Sequence, residues 1–313
     1  MDASELARCF GLGGSARLSD GVVARGKQGD VWRLDTDEGS WAVKVPFVAT
    51  SEEEVREATA FQEAAYAEGV PTPRVRRTTA GDVFATIEGQ QARMYAWVDL
   101  CAPDTCLDPV QVGTVVALIH RVSNEVEMGS GTFDPWYRDP VGGDRWDHLV
   151  EQLREAGAPF ASQLAGLRDE LVALESWIEP PTVLATCHRD LWADNLLATV
   201  DGAVCVIDWD EAGPADPSQE LGCVLFEFAR SDTGRARELI TAYRQAGGPA
   251  TVSRRGHFSM LIAQLGHITE TAATDWLQPN RRSPSRADSA AWIGEVLDEP
   301  HTRQVLDKLL QSV

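Results

Sequence analysis

Apolar side chains in the first 97 residues recur at every second position over short runs. Such alternation is typical of strands that are buried on one face. Trp41, Val43 and Val45 share one face of such a run, so the side chain of Lys44 lies on the opposite face. Similar runs predict strands near residues 21–25, 30–34, 74–76, 83–86 and 93–98, and a glycine-containing turn at 26–29 joins the first two as a hairpin.

One longer helix interrupts these strands. Ser51 and Glu54 have the spacing of a capping box, so the helix is predicted to begin after Ser51. It is predicted to run to about Glu68, because Gly69 and the prolines that follow it stop a helix. A second, short helix is predicted at residues 4–10. The N-terminal part of the chain is therefore predicted to be a mostly antiparallel sheet with one inserted helix.

Beyond Val98 the apolar residues recur every three or four positions, which predicts helices. The predicted helices cover residues 109–122, 145–155, 161–178, 219–230, 234–246, 253–275 and 289–310. A short β-hairpin is predicted between Cys187 and Asp208. We therefore predict an α+β, bilobal fold, with an N-terminal nucleotide-binding lobe at residues 1–97 and a larger, mainly helical C-terminal lobe at residues 98–313.

Composition narrows the classes of partner. Acidic residues outnumber basic ones by 48 to 28, and the net charge of −20 disfavours nucleic acid and anionic membranes as partners. This charge would favour a cationic ligand, although many proteins are acidic for solubility alone. The chain has six cysteines without a CxxC pair, no signal-peptide pattern and no long apolar run, so a reducing, cytoplasmic location is expected.

Three features of the sequence point to phosphoryl transfer. The turn Gly26–Gly29 offers backbone N–H groups that suit phosphate oxygens. Lys44 and the acidic helix after it can form an ion pair that holds the ammonium group against phosphates. Asp190, Asn195 and Asp208 supply the hard oxygen ligands that Mg²⁺ takes together with phosphates. Phosphoryl transfer needs this positioning and charge neutralisation more than it needs covalent chemistry.

The segment His188-Arg189-Asp190-Leu191-x-x-x-Asn195 matches the catalytic-loop signature of protein kinases. The later element reads Ile207-Asp208-Trp209 instead of D-F-G, and no A-P-E follows, which disfavours a protein kinase. The chain therefore resembles the aminoglycoside phosphotransferase family, the small-molecule branch of the kinase-like fold. The resemblance extends from about residue 15 to about residue 245.

The resemblance implies a role for each matching residue. Asp190 would be the catalytic carboxylate, and Asn195 and Asp208 would bind Mg²⁺. Lys44 would contact phosphates with Glu57 as its ion-pair partner, and Glu53 and Glu54 are the alternatives. Residues 95–98 would form the hinge beside the adenine. The complete set implied for the nucleotide is Gly26, Gln28, Gly29, Lys44, Glu57, Tyr95 and Trp97.

The acceptor is the least determined part of the site. Family loops often carry glycine where this chain has Arg189, which suggests an acceptor unlike those of the best-known members. Carboxylates in or just after the loop would suit a cationic molecule: Asp194, Asp210, Glu211, Asp216, Glu220 and Glu227. We expect an ATP-dependent O-phosphotransferase, with GTP as a possible donor, that acts as a monomer on an aminoglycoside-like or other antibiotic. The alternatives are a metabolite kinase for a sugar, amino alcohol or homoserine-like compound and a non-catalytic nucleotide-binding protein.

Overall fold

The computed structural model describes residues 1–26, 28–123, 126, 134–279 and 285–313, so Lys27 of the predicted glycine turn lies outside the described residues. The chain divides into two units. The first consists of Met1–Asp104 and Asp194–Gly213, and the second of Thr105–Ala193 and Pro214–Val313. This division places residues Asp194–Gly213 in the first unit. The lobe boundary at 97/98, predicted from the change in apolar spacing, stays a prediction.

The strands are, in chain order, β1 (Ala16–Leu18), β2 (Ala24–Arg25), β3 (Gly29–Thr36), β4 (Gly39–Pro46), β5 (Val75–Arg76), β6 (Ala85–Ile87), β7 (Gln90–Ala96), β8 (Ala185–Cys187), β9 (Leu196–Ala198), β10 (Val204–Val206) and β11 (Gly213–Ala215). The helices are α1 (Ala3–Cys9), α2 (Glu52–Ala67), α3 (Pro109–Val122), α4 (Gly143–Glu155), α5 (Ala161–Glu175), α6 (Pro217–Ala229), α7 (Thr233–Gln245), α8 (Ser259–Leu277), α9 (Arg286–Asp298) and α10 (Arg303–Leu310). The predicted α+β fold class is confirmed.

An antiparallel sheet is the centre of the first unit. Its strand order is β1-β3-β4-β7-β5, with β2 paired to β3 and β6 paired to β7. The predicted alternation in β4 is confirmed, because Trp41, Val43 and Val45 are buried in a core that α1 also enters. Lys44 therefore emerges on the opposite face, where its ion-pair partners lie.

Helix α2 begins and ends where the sequence predicts, but the predicted capping box is wrong. Ser51 occupies the N-cap position without making a side-chain capping hydrogen bond. The helix start is explained instead by the three glutamates of its first turn, which interact favourably with the helix dipole. Its end at Gly69 is explained by the positive φ of +87° there, which glycine adopts without steric cost.

The second unit is mainly helical. One part of its core lies between α4, α5 and α8, around Trp146, Leu149, Leu164 and Trp276. The single helix predicted at 289–310 is wrong, since α9 ends at Asp298 and α10 begins after the N-cap Thr302. In the described part of the chain, no helix has the length and apolar character that crossing a membrane requires.

Candidate functional site

The β9–β10 hairpin of the first unit carries two predicted metal ligands at its open end. Leu196 pairs with Val206, and the next N–H group, from Ile207, donates to the backbone oxygen of Asn195 at 2.9 Å. Asn195 is buried and directly precedes β9, and Asp208 follows β10 with a left-handed backbone at φ +58°. Hard oxygen donors from an amide and a carboxylate at one hairpin end suit Mg²⁺.

Lys44 reaches the same segment from β4. Its Nζ atom lies 2.5 Å from Oδ1 of Asp208 and 2.8 Å from Oδ2 of Asp210. Burial opposes the charge of Lys44, but the two carboxylates outweigh burial and raise its pKa above the usual value. Lys44 therefore stays cationic. Its ammonium group lies beside Asp208, the predicted metal ligand, and this arrangement suits phosphate binding.

Arg93 is a member of this cluster that the sequence did not reveal. It lies on β7, directly opposite Lys44 of β4 in the antiparallel register. Both of its terminal nitrogens bond Asp210, with Nη2 at 2.5 Å from Oδ2. Burial raises the pKa of Asp210, but Lys44 and Arg93 outweigh it and hold that pKa well below the usual range. Asp210 is thus an ionised, partly buried partner of two cations.

The turn that presents Asp210 is fixed by its neighbours. The Trp209 indole donates to the Thr72 hydroxyl at 2.9 Å and packs edge-on against Phe61 of α2 at 5.4 Å. Gln62 also donates to the Thr72 hydroxyl, at 3.2 Å. Gln28, in the glycine turn, donates to Glu211 at 2.6 Å. Residues 208–211 are therefore held to the N-terminal sheet unit through α2 and the loop before β5.

The predicted partner of Lys44 is not brought to it. Glu57 is exposed on α2, and the Lys44 ion pairs found among the described residues are those with Asp208 and Asp210. In the glycine turn, the two glycines differ. A Cβ atom on Gly29 would lie 2.5 Å from the Val45 carbonyl oxygen, whereas one on Gly26 would make ordinary contacts. Gly29 is therefore required by the close approach of β4.

The predicted hinge, residues 95–98, begins with the last two residues of β7. Burial raises the pKa of Tyr95, against the effect of nearby Arg93. The N–H groups of Ala96 and Trp97 donate to the carbonyl oxygens of Arg74 and Ser40, so both donors are engaged within the unit. The Trp97 indole donates to Asp99 at 2.8 Å.

In the second unit, the loop after β8 carries Asp190, which is partly buried. Arg189, just before it, has a left-handed φ of +65°. Its N–H group donates to Glu220, its carbonyl oxygen accepts from Gln264 at 2.7 Å, and its guanidinium lies 4.2 Å from the centre of the Tyr137 ring. A left-handed backbone favours glycine, so these contacts are what hold an arginine at this position.

Glu220 is the buried anchor of this loop. Its Oε2 lies 2.7 Å from Nε2 of His120, whose Nδ1 lies 2.8 Å from the Tyr243 hydroxyl. Burial raises the pKa of Glu220, but its bonds to His120 and the Arg189 N–H outweigh burial and lower it. Cys187 completes the one group of three possible metal ligands found among the described residues. Hydrogen bonds to Tyr243 and Arg189 already engage His120 and Glu220.

The predicted acceptor carboxylates differ in their exposure and in the groups that engage them. Asp210 is engaged by Arg93 and Lys44, and its predicted role toward an acceptor stays a prediction. Glu227 is buried and accepts from the Ala193 N–H at 3.1 Å. Asp216 caps α6 and accepts from Thr182 at 2.8 Å, so it is structural. Asp194 is exposed, and Glu211 is partly buried beside Gln28.

Comparison with known proteins gives matches over much of the chain. Viomycin phosphotransferase of Streptomyces vinaceus is 31% identical over 102 residues, which are 31% of this chain and 35% of that protein. Homoserine kinase of Pseudomonas aeruginosa is 26% identical over 207 residues, which are 62% of this chain and 61% of that protein. The matched part thus spans about a third of the first relative and three fifths of the second.

Structural similarity extends over nearly the whole chain. The crystal structure of a spectinomycin phosphotransferase in complex with ADP and spectinomycin has a TM-score of 0.65 and 15% identity, and covers 99% of this chain and 97% of that one. This likeness confirms the predicted protein-kinase-like fold. The profile of the phosphotransferase enzyme family matches residues 22–257. With three quarters of its length matched and the motif residues in place, the chain belongs to the phosphotransferase enzyme family.

Proposed function

We propose that the protein transfers the terminal phosphoryl group of ATP to a hydroxyl group of a small molecule. The acceptor oxygen would form the new P–O bond, ADP would leave with the bridging oxygen, and the hydroxyl proton would pass to Asp190. The observation that carries this proposal is the 2.5 Å contact between Lys44 and Asp208. It joins a partly buried cation suited to phosphates with a carboxylate suited to a metal ion.

The roles of the chain's own groups follow from their chemistry. Lys44 binds phosphate oxygens, since its ammonium group keeps its proton at neutral pH. Asn195 and Asp208 would hold Mg²⁺, which when bound neutralises phosphate charge. Asp190 orients the acceptor hydroxyl and accepts its proton, and its loop is kept in place by Glu220 and Gln264.

The acceptor class is proposed from charge and from the relatives. The net charge of −20 and the exposed Asp194 favour a cationic acceptor, such as an aminoglycoside-like or other antibiotic. Similarity to viomycin phosphotransferase supports this class, and a role in antibiotic resistance would follow. Similarity to homoserine kinase over 207 residues supports a metabolite kinase as the second candidate. A cytoplasmic, monomeric enzyme remains our expectation.

An acceptor screen tests the proposal. ADP release is measured with Mg²⁺ and ATP, then GTP, against aminoglycosides, peptide antibiotics, amino alcohols and homoserine, and mass spectrometry locates the added phosphate. We expect Asp190→Asn to lower kcat by about 100-fold or more with an accepted substrate, because it removes the proton acceptor. The matched control is Asp169→Asn, since the Asp169 side chain is 95% exposed.

Different outcomes reject different parts of the proposal. Turnover of metabolites without turnover of any antibiotic rejects the antibiotic class. Full activity of Asp190→Asn rejects the assigned catalytic carboxylate. If the protein binds no nucleotide and releases no ADP with any acceptor, it is not a phosphotransferase.

A further inference from the structure

We infer that Asp210 anchors Lys44, in place of a glutamate from α2, and that Arg93 is the positioning residue that holds Asp210. This inference rests on the proposed function, because it concerns the lysine that would bind phosphates. All the residues involved belong to the first unit. The resemblance implied a different anchor, Glu57, so the two accounts make opposite predictions.

The first argument comes from the faces of α2. Its buried positions include Val55, Ala58, Thr59 and Gln62, which follow the three- and four-residue spacing of one helix face. No acidic residue is among the buried residues of α2. Glu57 is exposed, although it lies four positions before the buried Phe61. Glu53 and Glu54 are also exposed. The three glutamates considered as anchors therefore lie outside the packed side of this helix.

The second argument is electrostatic. Lys44 and Arg93 are directly opposite each other on neighbouring strands, where like charges repel. Asp210 compensates for this repulsion by bonding both cations. The Arg93 guanidinium bonds both carboxylate oxygens of Asp210, and Lys44 also contacts Oδ2. A bidentate arginine fixes the carboxylate plane, so it also fixes the direction in which Asp210 holds Lys44.

The third argument is the gradient of exposure through the cluster. The Arg93 side chain is 5% exposed, those of Lys44 and Asp210 are 12% and 13%, and that of Asp208 is 35%. Asp208 therefore faces outward, as the proposed metal ligand should. Asp210 is about as exposed as Lys44, and Arg93 neutralises it from the more buried side. Without Arg93, Asp210 would draw Lys44 onto both its oxygens and compete with phosphates.

Two measurements distinguish a positioning role of Arg93 from a purely structural one. The first is kcat with an accepted substrate. The second is the Kd of AMP-PNP, an ATP analogue, measured by calorimetry in the presence of Mg²⁺. For Arg93→Met we expect about tenfold weaker AMP-PNP binding and a lower kcat, since Asp210 then competes for Lys44. Arg93→Lys should recover part of both. The matched control is Arg8→Met, whose side chain is 77% exposed.

The double variant Arg93→Met/Asp210→Asn removes the buried cation and its carboxylate partner together, so we expect it to fold even where a single variant does not. We expect its AMP-PNP affinity to return to within about threefold of wild type while kcat stays about tenfold low, because no carboxylate competes but Lys44 has lost its anchor. A purely structural role for Arg93 would give no such separation of Kd from kcat.

The competing account is tested with Glu57→Gln. A tenfold loss of kcat in that variant, together with wild-type kcat and Kd in Arg93→Met, overturns the inference. Failure of the proposed function gives a different result. In that case the wild-type protein does not bind AMP-PNP, or Lys44→Met binds it as tightly as wild type does.

Discussion

At the scale of single residues, the loop before Asp190 contains a backbone conformation that its side chain does not favour. A left-handed φ costs an ordinary L-residue about 1 kcal/mol or more, and Arg189 adopts φ +65°. Its two backbone hydrogen bonds and its contact with the Tyr137 ring offset this cost. The strain is thus held in place by the residues around the loop.

Two substitutions at this position should separate the strain from the ring contact. Both Arg189→Gly and Arg189→Ala lose the Tyr137 contact, but only glycine relieves the strain. We expect Arg189→Gly to be more stable than Arg189→Ala by about 1 kcal/mol in denaturant unfolding. The same pair at Arg237, exposed in α7, should show the opposite order, since glycine destabilises helices. Equal stability of Arg189→Gly and Arg189→Ala would mean that the loop does not keep the left-handed conformation in these variants.

The motif residues were predictable because their spacing along the chain is itself the signal. Lys44, Asp190, Asn195 and Asp208 are all located by local patterns. Arg93 was not predictable, because its partnership with Asp210 depends on the β4–β7 register and on how the turn after Asp208 packs. Glu57 was chosen from the family resemblance, and a motif position does not tell which face of a helix packs against the protein; in the structure Glu57 is exposed.

At the scale of elements, α6 acts as a support for the loop that carries Asp190. Glu220 and Glu227 lie seven residues apart, about two helical turns, on this almost fully buried helix. Glu220 accepts from the Arg189 N–H and Glu227 from the Ala193 N–H, so the two carboxylates hold the loop on either side of Asp190. The position of Asp190 is therefore coupled to the geometry of one helix.

Removing one of these supports should affect chemistry more than nucleotide binding. We expect Glu227→Gln to lower kcat by about 5- to 30-fold, because a charge-assisted bond to the Ala193 N–H becomes a neutral one and weakens by about 1–2 kcal/mol. The Kd of AMP-PNP should stay within about twofold. Glu238→Gln, at an exposed position of α7, is the control. A change in Kd with normal kcat would contradict the assigned role.

Element boundaries were predictable where a capping or breaking residue coincides with a change in apolar spacing. Helix α3 begins at Pro109 and ends at Val122, as the spacing predicts. The separation of α9 from α10 was missed because apolar spacing continues across the break. Pro300 and the N-cap Thr302 are the local signals that mark it.

At the scale of the whole molecule, the dependence of stability on pH is set partly by buried histidines. His301, between α9 and α10, is 2% exposed, and its Nδ1 has no hydrogen-bond partner within the described residues. Burial lowers its pKa to about 4, against the attraction of Glu170. Burial and the charge of Arg254 also lower the pKa of His257. Both histidines are therefore neutral in the folded protein where the unfolded chain is protonated.

The sign of the effect follows from these directions. An unfolded histidine has a pKa of about 6.5, so between about pH 6.5 and pH 4 the unfolded chain binds more protons than the folded one. The free energy of unfolding should therefore fall as the pH falls, by up to about 1.4 kcal/mol per pH unit for His301. The lowered pKa values of Asp210 and Glu220 act in the same direction, but only at lower pH, near the ordinary carboxyl range.

Urea unfolding between about pH 5 and pH 7 isolates the histidine contribution from that of the carboxylates. We expect His301→Leu to flatten the decline in unfolding free energy, because leucine fills the apolar site beside Phe226 without taking up a proton. His148→Leu, at an exposed position of α4, should leave the decline unchanged. An unchanged slope in His301→Leu would mean that His301 is protonated in the folded state. It would also mean that acid sensitivity in this range arises from other groups.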